Sequence, residues 1–179
     1  MFADEEQEIL DIVDADDEVI GQVKRSDILS LGDKPDQYLR TVEIFLQRSN
    51  GDIYLPRRSD HKALAPGGYD LSAAGHVFSG ESYAQACLRV VMEELGINAE
   101  FDELHFVKQI NPTPKLYYFR MLYLLKTDKA PVLSPEHTSA SWVSPDKLEE
   151  TVHGDVPTKD TLYEDIPLLV DYLQREGEL

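Results

Sequence analysis

Two adjacent acids, Glu93 and Glu94, close a run of helical spacing that opens at Ser82. On a wheel at about 100° per residue, Leu88, Val91 and Leu95 gather on the core side. Glu93 lies opposite that cluster and Glu94 off to one flank, with Arg89 one turn before Glu93, at pairing distance. Position 90, a valine, falls between the two acids in angle and away from the core cluster. The end of a helix disfavours negative charge, and neighbouring carboxylates repel each other. A solvated acidic helix end fits these residues. So does a bound divalent cation, which reverses the sign of both effects. Hard cations such as Mg²⁺ take carboxylate and carbonyl oxygens and complete their shell with water and substrate phosphates.

The elements that must position these acids are legible around them. Ser82 with Gln85 makes a capping box, Ala84, Cys87, Leu88, Val91 and Leu95 fall on one helix face, and Gly96 ends the helix. Upstream, Glu8 to Val13 and Glu18 to Val23 flank an Asp-rich turn and predict a hairpin. Ser26 to Leu31 predicts one helical turn, and Gly32 to Asp36 a loop. Tyr38 to Arg48 and Ile53 to Leu55 flank Asn50-Gly51, a hairpin signal in which both central residues take positive φ. Tyr69 to Ala74 predicts a strand. Downstream, Glu103 to Ile110, Leu116 to Leu125 and Ser139 to Val143 read as strands. Pro145 to Glu150, with Ser144 as cap, and Thr161 to Arg175, with Pro167 as an interruption, read as helices. The pattern is mixed α/β, a sheet covered by helices.

The chain has 179 residues, enough for one domain with a substantial core. Hydrophobic residues at 42% and charged residues at 28% exclude a disordered chain. No apolar run is long enough for a membrane span, the acidic N-terminus is not a signal peptide, and the lone Cys87 excludes an internal disulfide. The expected location is the cytoplasm. A net charge of −17 opposes long nucleic acids and membrane surfaces but leaves room for a small phosphorylated substrate held with metal ions. A homodimer is among the assemblies the sequence allows.

The segment reads Gly75, five residues, Glu81, seven residues, Arg89, then Val91, Glu93-Glu94, Gly96 and Ile97. This closely resembles the signature of the Nudix hydrolase superfamily, Gly-x5-Glu-x7-Arg-Glu-U-x-Glu-Glu-x-Gly-U, with U aliphatic. The run Ile9 to Val23 and Leu55-Pro56-Arg57-Arg58-Ser59 resemble the branch that holds the type 1 isopentenyl diphosphate isomerases and related hydrolases. The resemblance implies a Nudix-type α/β/α sandwich with a mixed sheet. It divides the single domain 1–179 into an N-terminal hairpin extension, 1–37, and a core, 38–179. It also implies Mg²⁺- or Mn²⁺-dependent hydrolysis of a diphosphate linkage in a nucleoside diphosphate derivative or related small molecule. Glu93 and Glu94 are then metal ligands, joined by the Gly75 carbonyl and by His76. Arg89 orients the carboxylates, and Glu81 supports the loop through a charge pair.

One signature position departs: Val90 stands where the family has a glutamate. Three readings follow. Other residues compensate, with Glu136 as the loop base and His76 or His137 nearby. Alternatively the chain is an isomerase, although Ala74 replaces that branch's catalytic cysteine and Lys115 to Arg120 holds no acid. Or the domain has lost catalysis and binds a ligand or a partner. For the phosphates, Arg57, Arg58 and Lys115 are the expected contacts, with strand alternation letting at most one of the two arginines reach the site. Lys62, Lys108 and Arg120 are further cations, and Tyr69, Phe78, Tyr117 and Tyr118 are aromatics that could stack on a base.

Overall fold

The computed structural model describes residues 7–31, 36–62 and 64–179. The expected loop at Gly32 to Asp36 falls largely outside the described residues. The chain begins with the hairpin of β1 (Ile9–Val13) and β2 (Val19–Lys24) and a 3₁₀ segment, Arg25–Leu31. A mixed sheet follows, built from β3 (Leu39–Gln47), β4 (Ile53–Arg58), β5 (Ala73–His76), β6 (Leu104–Ile110), β7 (Tyr118–Lys126) and β8 (His137–Val143). Its order is β6-β7-β3-β4-β8, with β5 added to β3. β3 and β7 run parallel, and the other pairs are antiparallel. Helix α1 (Tyr83–Leu95) covers one face. Helices α2 (Leu148–Val152) and α3 (Leu162–Glu176) cover the other. This is the expected α/β/α sandwich with an N-terminal hairpin. No described helix is long and apolar enough to cross a membrane.

Alternation along each strand divides the core. Val42, Ile44 and Leu46 face α1, whereas Phe45 faces α2 and α3 together with Leu122 and Leu124 of β7. The turn after β3 uses one left-handed residue rather than two: Gly51 has φ 91°, and Asn50 instead holds the turn through its side chain, which accepts from Arg48 Nε and Asp52 N. Beyond that turn β3 and β4 share only the pair Gln47 and Ile53 and then diverge. Ser72 sits in the fork. Its hydroxyl accepts from Leu46 N at 2.8 Å and donates to the Tyr54 carbonyl at 2.6 Å. β5 then takes the place beside β3 that β4 has left. The strand expected over Tyr69 to Ala74 therefore starts only at Ala73. Before it, Asp70 bonds Leu71 N, and Tyr69 pairs singly with Arg57 and Thr158.

Helix α1 carries the full Ser82–Gln85 capping box and ends at Gly96 with φ 63°. Ser144 makes no side-chain cap, so that segment opens as 3₁₀ over Pro145–Lys147 before α2. Helix α3 runs through Pro167 unbroken.

Arg120, one of the cations considered for phosphate, is instead 3% exposed between sheet and α3. Its Nη1 donates to Glu43 at 3.0 Å and Asp165 at 2.9 Å, and its Nη2 pairs with Glu164. Two carboxylates share one guanidinium nitrogen, so burial and Glu43 push the Asp165 carboxyl well above the usual range. Removing the cation strands both acids in the interior. R120M is expected to cost about 3 kcal/mol or more in urea unfolding, the range for breaking a buried pair from one side. A loss below about 1 kcal/mol would show that Arg120 does not carry those acids.

Candidate active site

Gly75 brings helix and strand together. A Cβ at this position would lie 2.6 Å from Val90 Cγ2, so only glycine allows α1 to approach β5 this closely. Val90 is consequently 2% exposed and belongs to the core beneath the helix. Helical spacing alone turns position 90 away from the core, and the structure places it inside. The apolar face is instead Ala86, Cys87, Val90, Val91 and Leu95, rotated toward Gly75 because the sheet, not the helix, decides where the close contact falls.

The close approach carries Glu94 to the free edge of β5. Its Oε2 accepts from Ala74 N at 3.1 Å. Burial raises its carboxyl to about 7; Glu136 and Asp70 add to the rise and the Ala74 N–H opposes it. Ala74 N–H and the His76 carbonyl both point away from β3, the latter toward Arg89 Nη2 at 2.8 Å. By alternation the Gly75 carbonyl turns toward its partner Val42 on β3, and the backbone oxygen at the open edge beside Glu94 is that of Ala74.

Arg89 ties the loop before the helix. Its Nε and Nη2 hold Glu81 at 2.8 Å, its Nη1 reaches Glu93 at 3.0 Å, and its guanidinium lies 3.6 Å from the Phe78 ring centroid. Phe78 N donates to Glu81 at 2.9 Å. Burial works against the Glu81 charge, but Arg89 and this N–H outweigh it and hold its carboxyl below the usual range. Glu93 is exposed, with Arg89 as its ion-pair partner. His76 projects from β5 on the face opposite α1, 5.8 Å from the Tyr118 ring centroid. Burial, with Arg25 and Arg89, lowers it to about 4.

In the fork between β4 and β5 lies a cavity of about 110 Å³, walled by Glu94, Ala74, Glu136, Arg58, Asp70 and Lys159. Of the two adjacent arginines only Arg58 reaches it, bonded to Asp70 and to the Leu64 carbonyl at 2.8 Å. Arg57 donates from Nε to the Gly67 carbonyl at 2.9 Å. Lys115 is exposed in the turn between β6 and β7, and Lys108 is exposed on β6; neither lines the cavity. Lys62 pairs with Glu136 at 2.6 Å. Around this cavity Arg58, Lys62 and Lys159 face Asp70, Glu94 and Glu136. The charges balance locally in a chain of net −17. Asp70 and Lys159 escaped the sequence reading, because no local spacing joins them to the helix.

A divalent cation fits this arrangement. Glu94 is a half-buried acid with no ion-pair partner among the described residues, at the strand edge where the Ala74 backbone is exposed to it. No three acids, histidines or cysteines among the described residues are grouped as a ready ligand cage. Mg²⁺ suits such a site, since it binds through one or two carboxylates and takes waters and phosphate oxygens for the rest. Cys87, by contrast, is fully buried and its thiol is pushed up to about 12, so it offers no nucleophile.

The NUDIX domain family model matches residues 37–166. The chain belongs to the Nudix family. A Deinococcus radiodurans protein named Nudix hydrolase is 35% identical over 175 residues, 96% of each chain. A crystal structure of a D. radiodurans protein superposes with a TM-score of 0.73 at 33% identity, covering 89% of this chain and 98% of that one. An isopentenyl-diphosphate Delta-isomerase from Serratia proteamaculans is 31% identical over 161 residues, 87% of each. The Nudix signature thus sits here on a sheet fork with a half-buried Glu94 and a core valine at position 90.

Two outcomes follow for this Nudix chain. A carboxyl at about 7 when folded, against an ordinary 4.5, means the native state holds an extra proton between those values. Metal-free stability therefore falls as pH rises through that window, by on the order of 3 kcal/mol in all. Urea titrations from pH 4.5 to 8 in EDTA should show the decline in wild type and a flatter curve in E94Q; matching curves would remove Glu94 as its source. V90E puts a carboxylate into the helix–sheet contact. Its melting temperature should drop in EDTA and recover partly with Mn²⁺. A drop that Mn²⁺ leaves unchanged would show that position 90 does not communicate with an ion.

Proposed function

We propose that the chain is a metal-dependent hydrolase of a diphosphate linkage in a nucleoside diphosphate derivative or related small molecule. The observation that carries this reading is the Glu94 carboxylate at the free edge of β5, opening on a cavity whose other walls bear Glu136 and Arg58. Glu94, with Glu93 and the Ala74 carbonyl, would hold Mg²⁺ or Mn²⁺. When bound, such an ion polarises phosphoryl oxygens and makes its water a better nucleophile.

The remaining steps belong to the protein. Glu136, kept in place by Lys62, accepts the proton of the attacking water. Arg58, fixed by Asp70 and the Leu64 carbonyl, directs its guanidinium at a phosphoryl oxygen. Arg89 and Glu81 keep the loop closed on the helix and restrain Glu93. The cavity is well below the size of pockets that enclose whole organic ligands, roughly 300 Å³ and upward. The phosphoryl end enters and the organic part stays outside. Arg57 and Lys115 take no part in this reading, because one is committed to Gly67 and the other stands in a distant turn.

Val90 supports a second reading, a Nudix domain that binds without turnover. Its side chain packs on Gly75 where a third acid of α1 would stand. Phosphate release from a panel of nucleotides and dinucleotides with Mg²⁺ or Mn²⁺ separates the two. The hydrolase reading expects turnover by wild type and a loss beyond about a hundredfold in E94Q, more than is lost when a group supporting a metal ligand is removed. No turnover by wild type on any substrate, with activity gained in V90E, would leave the binding domain. Isopentenyl diphosphate belongs in the panel, and no isomerisation is expected with Ala74 in the strand and Cys87 in the core.

A further inference from the structure

Lys159 lies far along the chain from the signature helix, yet it forms a wall of the same cavity. Its backbone is stitched in place. Tyr69 N donates to the Pro157 carbonyl at 2.9 Å, and Lys159 N donates to the Tyr69 carbonyl at 3.1 Å. Thr158 between them is buried and donates from Oγ1 to the Val152 carbonyl at 2.9 Å. The contact is tight: a Cβ at Gly68 would lie 2.7 Å from the Pro157 carbonyl oxygen. A short strap, 157–159, therefore delivers this lysine to the fork between β4 and β5.

The side chain is oriented as firmly as the backbone. Lys159 Nζ is 3.2 Å from Asp70 Oδ1, which also accepts from Leu71 N at 2.9 Å, while Oδ2 of the same carboxylate takes Arg58. One buried carboxylate thus gathers two permanent cations, with His137 Nε2 3.9 Å away. Burial opposes the Asp70 charge, but His137, Lys159 and Arg58 outweigh it and hold the carboxyl well below the usual range. A structural ion pair needs one cation. The second leaves positive charge in excess around Asp70, in the cavity that Glu94 and Glu136 also line. An ammonium has three donors, and Asp70 engages one of them.

We propose that Lys159 is a phosphate-binding residue of this site, with Asp70 as the positioning residue that aims it and Arg58 at the same phosphoryl group. The proposal rests on reading the cavity as a diphosphate site and adds a residue that takes the phosphoryl oxygens beside those held by Arg58. With an ion beside Glu94, the balance among Arg58, Lys62, Lys159, Asp70, Glu94 and Glu136 turns net positive, the sign a phosphoryl group requires. The net charge of −17 opposes such a group over the molecule as a whole.

The test uses the full chain with Mn²⁺ and methylenediphosphonate, a diphosphate mimic without a hydrolysable bridge, measured by calorimetry. K159M is expected to weaken diphosphonate binding by about tenfold or more, as for loss of one charge-assisted contact. Mn²⁺ affinity without the diphosphonate should change by less than about twofold, and K159R should retain most of the binding because it keeps the charge. If K159M does not fold by circular dichroism, K159Q, which keeps a polar side chain without the charge, takes its place. Diphosphonate affinity equal to wild type in the folded variant overturns the proposal, and so does absence of diphosphonate binding by wild type with Mn²⁺. Lys159-dependent binding without phosphate release from any substrate would sustain this inference and remove hydrolysis. Turnover with an unchanged KM in the variant would do the reverse.

Discussion

The absence of a side chain at position 75 is the constraint from which the site follows. Because Gly75 presents bare backbone, α1 packs Val90 directly on β5. That contact sets the depth of the helix, and the depth lets the Glu94 carboxylate reach Ala74 N at the free strand edge. A larger residue would lift the helix, and Glu94 would lose its backbone partner and return to solvent. Packing density makes such a contact unforgiving, since close-packed interiors transmit displacement rather than absorb it.

A second feature makes room for chemistry at that edge. A sheet with every strand paired offers no cavity and no free backbone carbonyl. Here β3 and β4 separate after one pair, Ser72 satisfies the groups at the fork, and β5 enters with one edge unpaired. Backbone polarity, acid and base side chains and a small cavity then meet in one place. Both signs line this cavity, with Arg58 and Lys159 gathered on Asp70, and Glu94 and Glu136 as the other acids. Such polarity suits a ligand that combines a cation with a phosphoryl group. It would also let a chain of net −17 admit an anion at this one place, as the proposed function requires.

The other face of the sheet shows the same economy with charge. Glu43, Asp165 and Glu164 converge on Arg120, which seals the α3 side of the sheet and is thereby withdrawn from ligand chemistry. A cation that a sequence offers as a phosphate ligand is thus spent on the interior, while Lys159, which carries no motif, stands at the cavity.

Much of the scaffold is written in short-range patterns. The Ser82–Gln85 box, Gly96 and the apolar spacing between them define α1, because capping and amphipathicity act within a few residues. Gly75, Glu81, Arg89, Glu93 and Glu94 at their fixed spacing identify the family and hence the sandwich. What spacing could not specify are the contacts between elements. Whether Val90 faces solvent or core, whether Gly75 or Ala74 shows its carbonyl, and whether Arg57 or Arg58 meets the cavity depend on how close and at what rotation helix and strands dock. The joining of Asp70 and Lys159 depends on a strap between segments remote in the chain. Local sequence encodes the conformation of each piece; only the packed molecule decides which of its faces are brought together, because that outcome minimises the voids and unpaired polar groups of all the pieces at once.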